Sequence, residues 1–123
     1  MGTRDANARA LENYRRQYQE LATGLAQIGF IWHGSVQTRW LTCGRPDCDC
    51  AADPKLRHGP YVYWTSKVKG QSVAKLLHAP DSSILAEWVE NRQKVEKILI
   101  AMRKVSRKAF KPERNLRMKK KKQ

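Results

Sequence analysis

Leu11, Tyr14, Tyr18, Leu21, Leu25 and Ile28 recur at steps of three and four residues, the spacing that stacks side chains along one face of an α-helix. The pattern predicts an N-terminal helix capped by Thr3 or Asp5 and ended by Gly29, with Gly24 weakening it by roughly 1 kcal/mol against alanine. The texture then changes, and β-branched residues, aromatics, glycine and proline replace the helical period. Val36–Thr42 reads as a strand, Cys43–Pro60 as an irregular loop, and Tyr61–Lys69 with Gln71–His78 as a hairpin turning at Gly70. Pleating puts Val62, Trp64, Val68, Val73 and Leu77 on one face, which reads as core. The opposite face, with Tyr61, Tyr63, Thr65, Lys67, Ser72, Ala74 and Leu76, reads as half-exposed. Trp32, Trp40, Trp64 and Trp88 are also expected in the core.

Pro80-Asp81 opens a second helix in which Ile84, Trp88, Asn91, Val95, Ile98, Met102, Val105 and Ala109 alternate at steps of four and three. This is a heptad seam with a single polar member, Asn91. Packing of the seam on the first helix is the preferred reading, giving a monomer. Pairing with a second copy through Asn91, giving a homodimer, is the alternative. Lys111-Pro112 is expected to end the helix, leaving 111–123 as a disordered basic tail behind a single domain spanning 1–110. The sequence has no internal repeat.

Charge changes this picture more than length does. The 123 residues carry 25 Lys+Arg against 11 Asp+Glu, a net +14, and a chain so small and so basic points to a polyanionic partner. Segment by segment the net charge is +1 over residues 1–34, +4 over 35–80 and +9 over 81–123. Arg103–Gln123 alone holds eleven Lys/Arg and one Glu. No stretch approaches the about 20 apolar residues of a membrane span, and the N-terminus is not signal-like, so no membrane partner and a cytoplasmic, nucleoid-associated location are expected.

Three cysteines fall within eight residues as Cys43-x4-Cys48-x-Cys50, and His58 follows. In a reducing compartment clustered thiols read as metal ligands rather than disulfides, and thiolates with an imidazole are the donor set of tetrahedral zinc. Gly44 and Pro46 are the turn formers that fold such a loop back on one centre. Cys43, Cys48, Cys50 and His58 are therefore the expected ligands of one structural zinc ion per chain, stapling the loop at 43–58. His33 and His78 are the alternatives for the fourth position. Four protein ligands leave no open site for a nucleophilic water, which argues against metal catalysis. Asp47, Asp49 and Asp53 read as loop formers or nearby charge, and Ser82-Ser83 as helix-capping residues. With no phosphate-cradling glycine loop, G-x-S-x-G or H-E-x-x-H, the chain is read as a non-enzyme.

The basic surface points to nucleic acid, double-stranded DNA ahead of RNA. Its expected contacts are Arg103, Lys104, Arg107, Lys108, Lys111, Arg114, Arg117, Lys119, Lys120, Lys121 and Lys122. The hairpin is a second candidate, with Tyr61, Tyr63, Thr65 and Lys67 on one face and Lys69 beside the turn. An adaptor that holds a protein partner on its helical seam is the alternative function.

The pattern Cys43-Gly-x3-Cys48-x-Cys50, His58-Gly59-Pro60-Tyr61 and Trp64-Thr65-x-Lys67-Val68-x-Gly70 resembles a family of small, largely uncharacterised prokaryotic proteins, a domain of unknown function. The resemblance covers roughly residues 14–105. It implies a helix, a cysteine loop, a hairpin and a closing long helix, and it implies genes among mobile elements and recombinases. Members usually carry Lys after the hairpin glycine, where this chain has Gln71. The hairpin also looks like the arm-binding sheets of tyrosine recombinases, by fold analogy alone. Together these readings give an α+β fold: an N-terminal helix, a small antiparallel three-stranded sheet with a zinc-stapled loop, a long C-terminal helix and a disordered basic tail. The protein is expected to serve a larger recombinase or nucleoprotein machine.

Overall fold

The computed structural model describes residues 2–119. Helix α1 spans Thr3–Ala26, strands β1, β2 and β3 span Ser35–Leu41, His58–Val68 and Gln71–Leu77, and helix α2 spans Asp81–Lys119. The α+β order expected from the pattern is present. The chain gathers into two compact units, one of α1 and the residues from Gln93 onward, the other spanning Phe30–Arg92.

In the helical unit Leu11 and Val105 are buried, with Tyr14, Leu21 and Leu25 half-buried on α1, Ile28 half-buried just past its end, and Val95, Ile98, Met102 and Ala109 half-buried on α2. The two stripes meet: a Cβ built on Gly24 would lie 3.9 Å from the Ile98 side chain. Neither Thr3 nor Asp5 caps α1. Gly2 stands at the N-cap position, and Asp5 lies in the first turn, where a carboxylate meets the positive end of the helix dipole. The helix ends at Ala26 rather than at Gly29, its next backbone N–H, on Gln27, donating to the Gly24 carbonyl at 3.3 Å.

A larger correction falls at the other end of the chain. The sequence stops the second helix at Lys111-Pro112, yet residues 111–119 are its last turns, with Pro112 inside. The seam explains this, because Ala109, Pro112 and Leu116 continue the same three-and-four alternation and all are half-buried. The Arg4 guanidinium donates to the Leu116 carbonyl at 3.2 Å, and Glu113 pairs with Arg117 at 2.8 Å and Arg15 at 3.8 Å. These contacts offset the missing amide of Pro112. Pro112→Ala restores that amide, and we expect it to stabilise the helical pair by about 1–3 kcal/mol, read as a raised denaturation midpoint. The rest of the expected tail, including Lys120, Lys121 and Lys122, lies outside the described residues.

In the sheet unit the strands run β1-β2-β3, all antiparallel. Lys69 and Gly70 have φ of 52° and 81°, the double left-handed turn that matches strand twist in a two-residue hairpin. The register pairs Val62 with Leu77 and Trp64 with Val36, so the two faces divide as the alternation predicts. Burial follows only in part. Leu77 is buried, but Val68 and Val73 are exposed at the turn end. Trp40 is 54% exposed and Trp32 37%, so neither is the core residue expected. Trp40 lies near the end of an edge strand, where no further strand can cover it.

The stretch before β1 is held by the first turns of α2. The Trp32 amide donates to the Trp88 carbonyl at 3.1 Å, Asn91 donates to the Phe30 carbonyl at 2.8 Å, and Arg92 donates to the carbonyls of Trp32 and Gly34 at 3.0 and 2.8 Å. Trp64 donates its indole N–H to the His33 carbonyl at 2.8 Å. Asn91 therefore breaks the apolar seam to satisfy a backbone carbonyl within its own chain. Charge-assisted bonds of the Arg92 kind are worth about 1.5–3 kcal/mol each. Arg92→Met keeps the stem but loses both bonds, and we expect a loss of about 2 kcal/mol or more in urea unfolding.

Candidate metal centre

The sheet register assembles the cysteine loop. Leu41 closes β1 opposite His58, which opens β2, so Cys43, two residues past Leu41, emerges beside His58. A bulge between Arg39 and Leu41 marks the junction. Gly59 has φ of 146°, and a Cβ there would sit 2.8 Å from the Arg39 carbonyl and 3.1 Å from the Trp40 ring. Only glycine allows β2 to start this close to β1.

Between these anchors the chain makes two single turns, Asp49–Ala51 and Pro54–Leu56. The first carries Cys50, which is 1% exposed. Asp53 caps the second, its carboxylate accepting from the Lys55 amide at 2.9 Å. It is a loop former, as expected.

The four expected ligand residues converge. One donor atom from each of Cys43, Cys48, Cys50 and His58 lies within 4.8 Å of all the others. Cys43 Sγ and Cys50 Sγ are 3.5 Å apart, and Cys48 Sγ and His58 Nε2 are 3.4 Å apart. Zinc bonds of ~2.3 Å to sulfur and ~2.0 Å to nitrogen, set at tetrahedral angles, put neighbouring donors about 3.5–3.8 Å apart. Two of the separations come close to these distances and all four donors are gathered within 4.8 Å, so the cluster can hold a metal ion.

Its electrostatics suit thiolate ligation. The Arg45 backbone hydrogen bond, followed by that of the Cys50 thiol, lowers Cys43 from the usual 9.0 to about 7. Its thiolate is therefore accessible near neutral pH, the form that metals bind. At Cys50 the Cys43 amide, which reaches its sulfur at 3.4 Å, pulls the thiol down, but desolvation and the Cys48 and Cys43 thiols outweigh it and hold it above the usual value. Neither alternative histidine joins the cluster. His33 stands edge-on to Trp64 with ring centres 5.0 Å apart, and His78 follows the end of β3. Beside the cluster an open depression of about 510 Å³ is lined by Cys43, Arg45, Asp47, Cys48, His58 and Tyr61.

The other expected contact residues are placed as follows. Tyr61, Tyr63, Thr65 and Lys67 share one sheet face, with Tyr61 and Lys67 exposed and Tyr63 and Thr65 half-buried, while Lys69 forms the turn. Arg103, Lys104, Arg107, Lys108, Lys111 and Arg114 are exposed on α2, Arg117 is paired with Glu113, and Lys119 is its last residue. Sequence reasoning missed Arg39, whose guanidinium lies 4.9 Å from the centre of the Tyr63 ring. Its alternation with Gln37 along β1 was the available signal.

A helix–sheet–helix protein with a Cys3His cluster at one end of its sheet is the class these observations define. The chain belongs to the family described as Domain of unknown function (DUF6788), whose model matches residues 11–86. No curated protein and no solved structure matches the chain.

Proposed function

We propose that the chain is a non-catalytic nucleic-acid-binding protein in which one structural zinc ion staples the cysteine loop. The single observation that carries the reading is the charge distribution on α2. At 100° per residue, Arg103, Lys104, Arg107, Lys108, Lys111 and Arg114 fall within an arc of about 140°, opposite the stripe of Ile98, Val105, Pro112 and Leu116. The helix thus buries one side and turns an exposed cationic side outward, over roughly 16 Å from Arg103 to Arg114 at 1.5 Å per residue. Phosphate contacts of this kind supply affinity without reading bases.

Double-stranded DNA stands ahead of RNA as the ligand, on the recombinase-like hairpin, and a role beside a larger nucleoprotein machine follows from the same likeness. No helix among the described residues is long and apolar enough to cross a membrane, and the reading needs none. The closed Cys3His donor set supports a structural rather than catalytic metal. Binding to random duplex DNA at two salt concentrations tests the reading. A steep fall in affinity with salt is expected, and no binding at low salt overturns it.

One observation favours the second reading, a protein adaptor. An open groove of about 600 Å³ runs along the helical unit between Tyr14 and Tyr18 of α1 and Val105 and Ala109 of α2. Loss of duplex binding together with capture of a folded partner on this groove would select it.

A further inference from the structure

The geometry points to a second contact surface, resting on the nucleic-acid reading above: the sheet face carrying Arg39 stacks an unpaired base of a single-stranded stretch. Three observations converge there. Arg39 and Tyr63 form a layered pair, the guanidinium carbon 4.9 Å from the ring centre. Gln37, the cross-strand partner of Tyr63, accepts from Arg39 Nε at 3.3 Å and Nη2 at 2.9 Å, which fixes the plane of the guanidinium. Tyr61, paired with Arg39 across the strands, is 38% exposed beside it.

The charge is right for a polyanion. None of the three strands holds an Asp or Glu, and Arg39 and Lys67 lie on this face. The depression at its end adds Arg45, with Asp47 as the one carboxylate of its lining. The occupant follows from the shapes of the groups. A flat guanidinium already seated on a ring offers its outer face to another flat π-system, as Arg planes do with splayed bases. In a duplex the base faces are closed by their neighbours, so a duplex offers this surface only phosphates. An unpaired base offers its π-face, and successive bases along the strand bring phosphates to Lys67 and Arg45.

The test measures binding of the full-length chain to labelled oligothymidylate and to a duplex of equal length. Arg39→Lys keeps the charge and removes the flat face. Tyr61→Ala removes a neighbouring ring from an exposed position. Each variant is expected to weaken oligothymidylate binding by about fivefold or more, the lower range for loss of one stacked base, and duplex binding by a clearly smaller factor, with the salt slope unchanged because neither variant removes a charge. Equal weakening for both ligands, or no change for oligothymidylate, overturns the inference and leaves the basic helix reading in place. Failure of the unmodified chain to bind either ligand overturns both.

Discussion

Cys50→Ser is expected to abolish the proposed binding of one zinc ion per chain, and to collapse hydrogen-exchange protection across the loop from Cys43 to Pro60. The size of the effect follows from how little else holds this part of the molecule. Among the described residues of the sheet unit, Cys50, Leu77 and Val89 are the buried hydrophobic side chains, and Cys50 is itself one of the proposed ligands. A structural zinc is worth about 10–16 kcal/mol of apparent binding energy in small zinc-folded peptides, against a total stability of about 5–15 kcal/mol for a typical domain. Losing the metal therefore outweighs losing any single contact in the sheet. Metal analysis and hydrogen exchange before and after chelation check the prediction without mutation. Zinc-free protein with an unchanged melt and freely titrating thiols would refute the staple.

The second large effect is on binding. Replacing Arg103, Lys104, Arg107, Lys108 and Lys111 together with glutamine leaves good helix formers in place and removes five exposed cations from one face of α2. Each phosphate contact contributes about −0.9 to the slope of log affinity against log salt. The variant should therefore lose up to about 4.5 from the slope, and several orders of magnitude in duplex affinity at moderate salt. Circular dichroism should show helix content retained. A slope that does not move would place the phosphate contacts elsewhere on the chain.

Legibility in the sequence differed from element to element for physical reasons. The convergence of the four residues was readable because the spacing Cys43-x4-Cys48-x-Cys50 and the nearby His58 confine four donors to a short loop, and thiols with an imidazole narrow the chemistry. The two helical stripes were readable because their period is local. Pro112 was misread because the rule that proline ends helices is also local, whereas what carries α2 onward is Leu116 and Glu113 meeting Arg4 and Arg15 from the far end of the chain. Trp40 was misplaced because an indole in a strand says nothing about whether that strand lies at an edge. Asn91 stood out as the one polar member of the seam, but its hydrogen bond to the Phe30 carbonyl joins residues 61 positions apart, which no local pattern gives. Arg39 was missed because its place against Tyr63 depends on strand register, and the bulge beyond Arg39 cannot be located from alternation alone.

That bulge, with His58 set opposite Leu41, gives the cluster a reach beyond its own loop. Strands alternate with a period of two, so a slip of one residue between β1 and β2 would turn Trp40 and Thr38 toward the side where Arg39 and Gln37 now stand. Cys43 and His58, clasped by one ion, would act as a frame marker that forbids the slip. Demetallation would then scramble which side chains β1 displays, so an assay of the sheet face doubles as a gauge of whether the frame is locked.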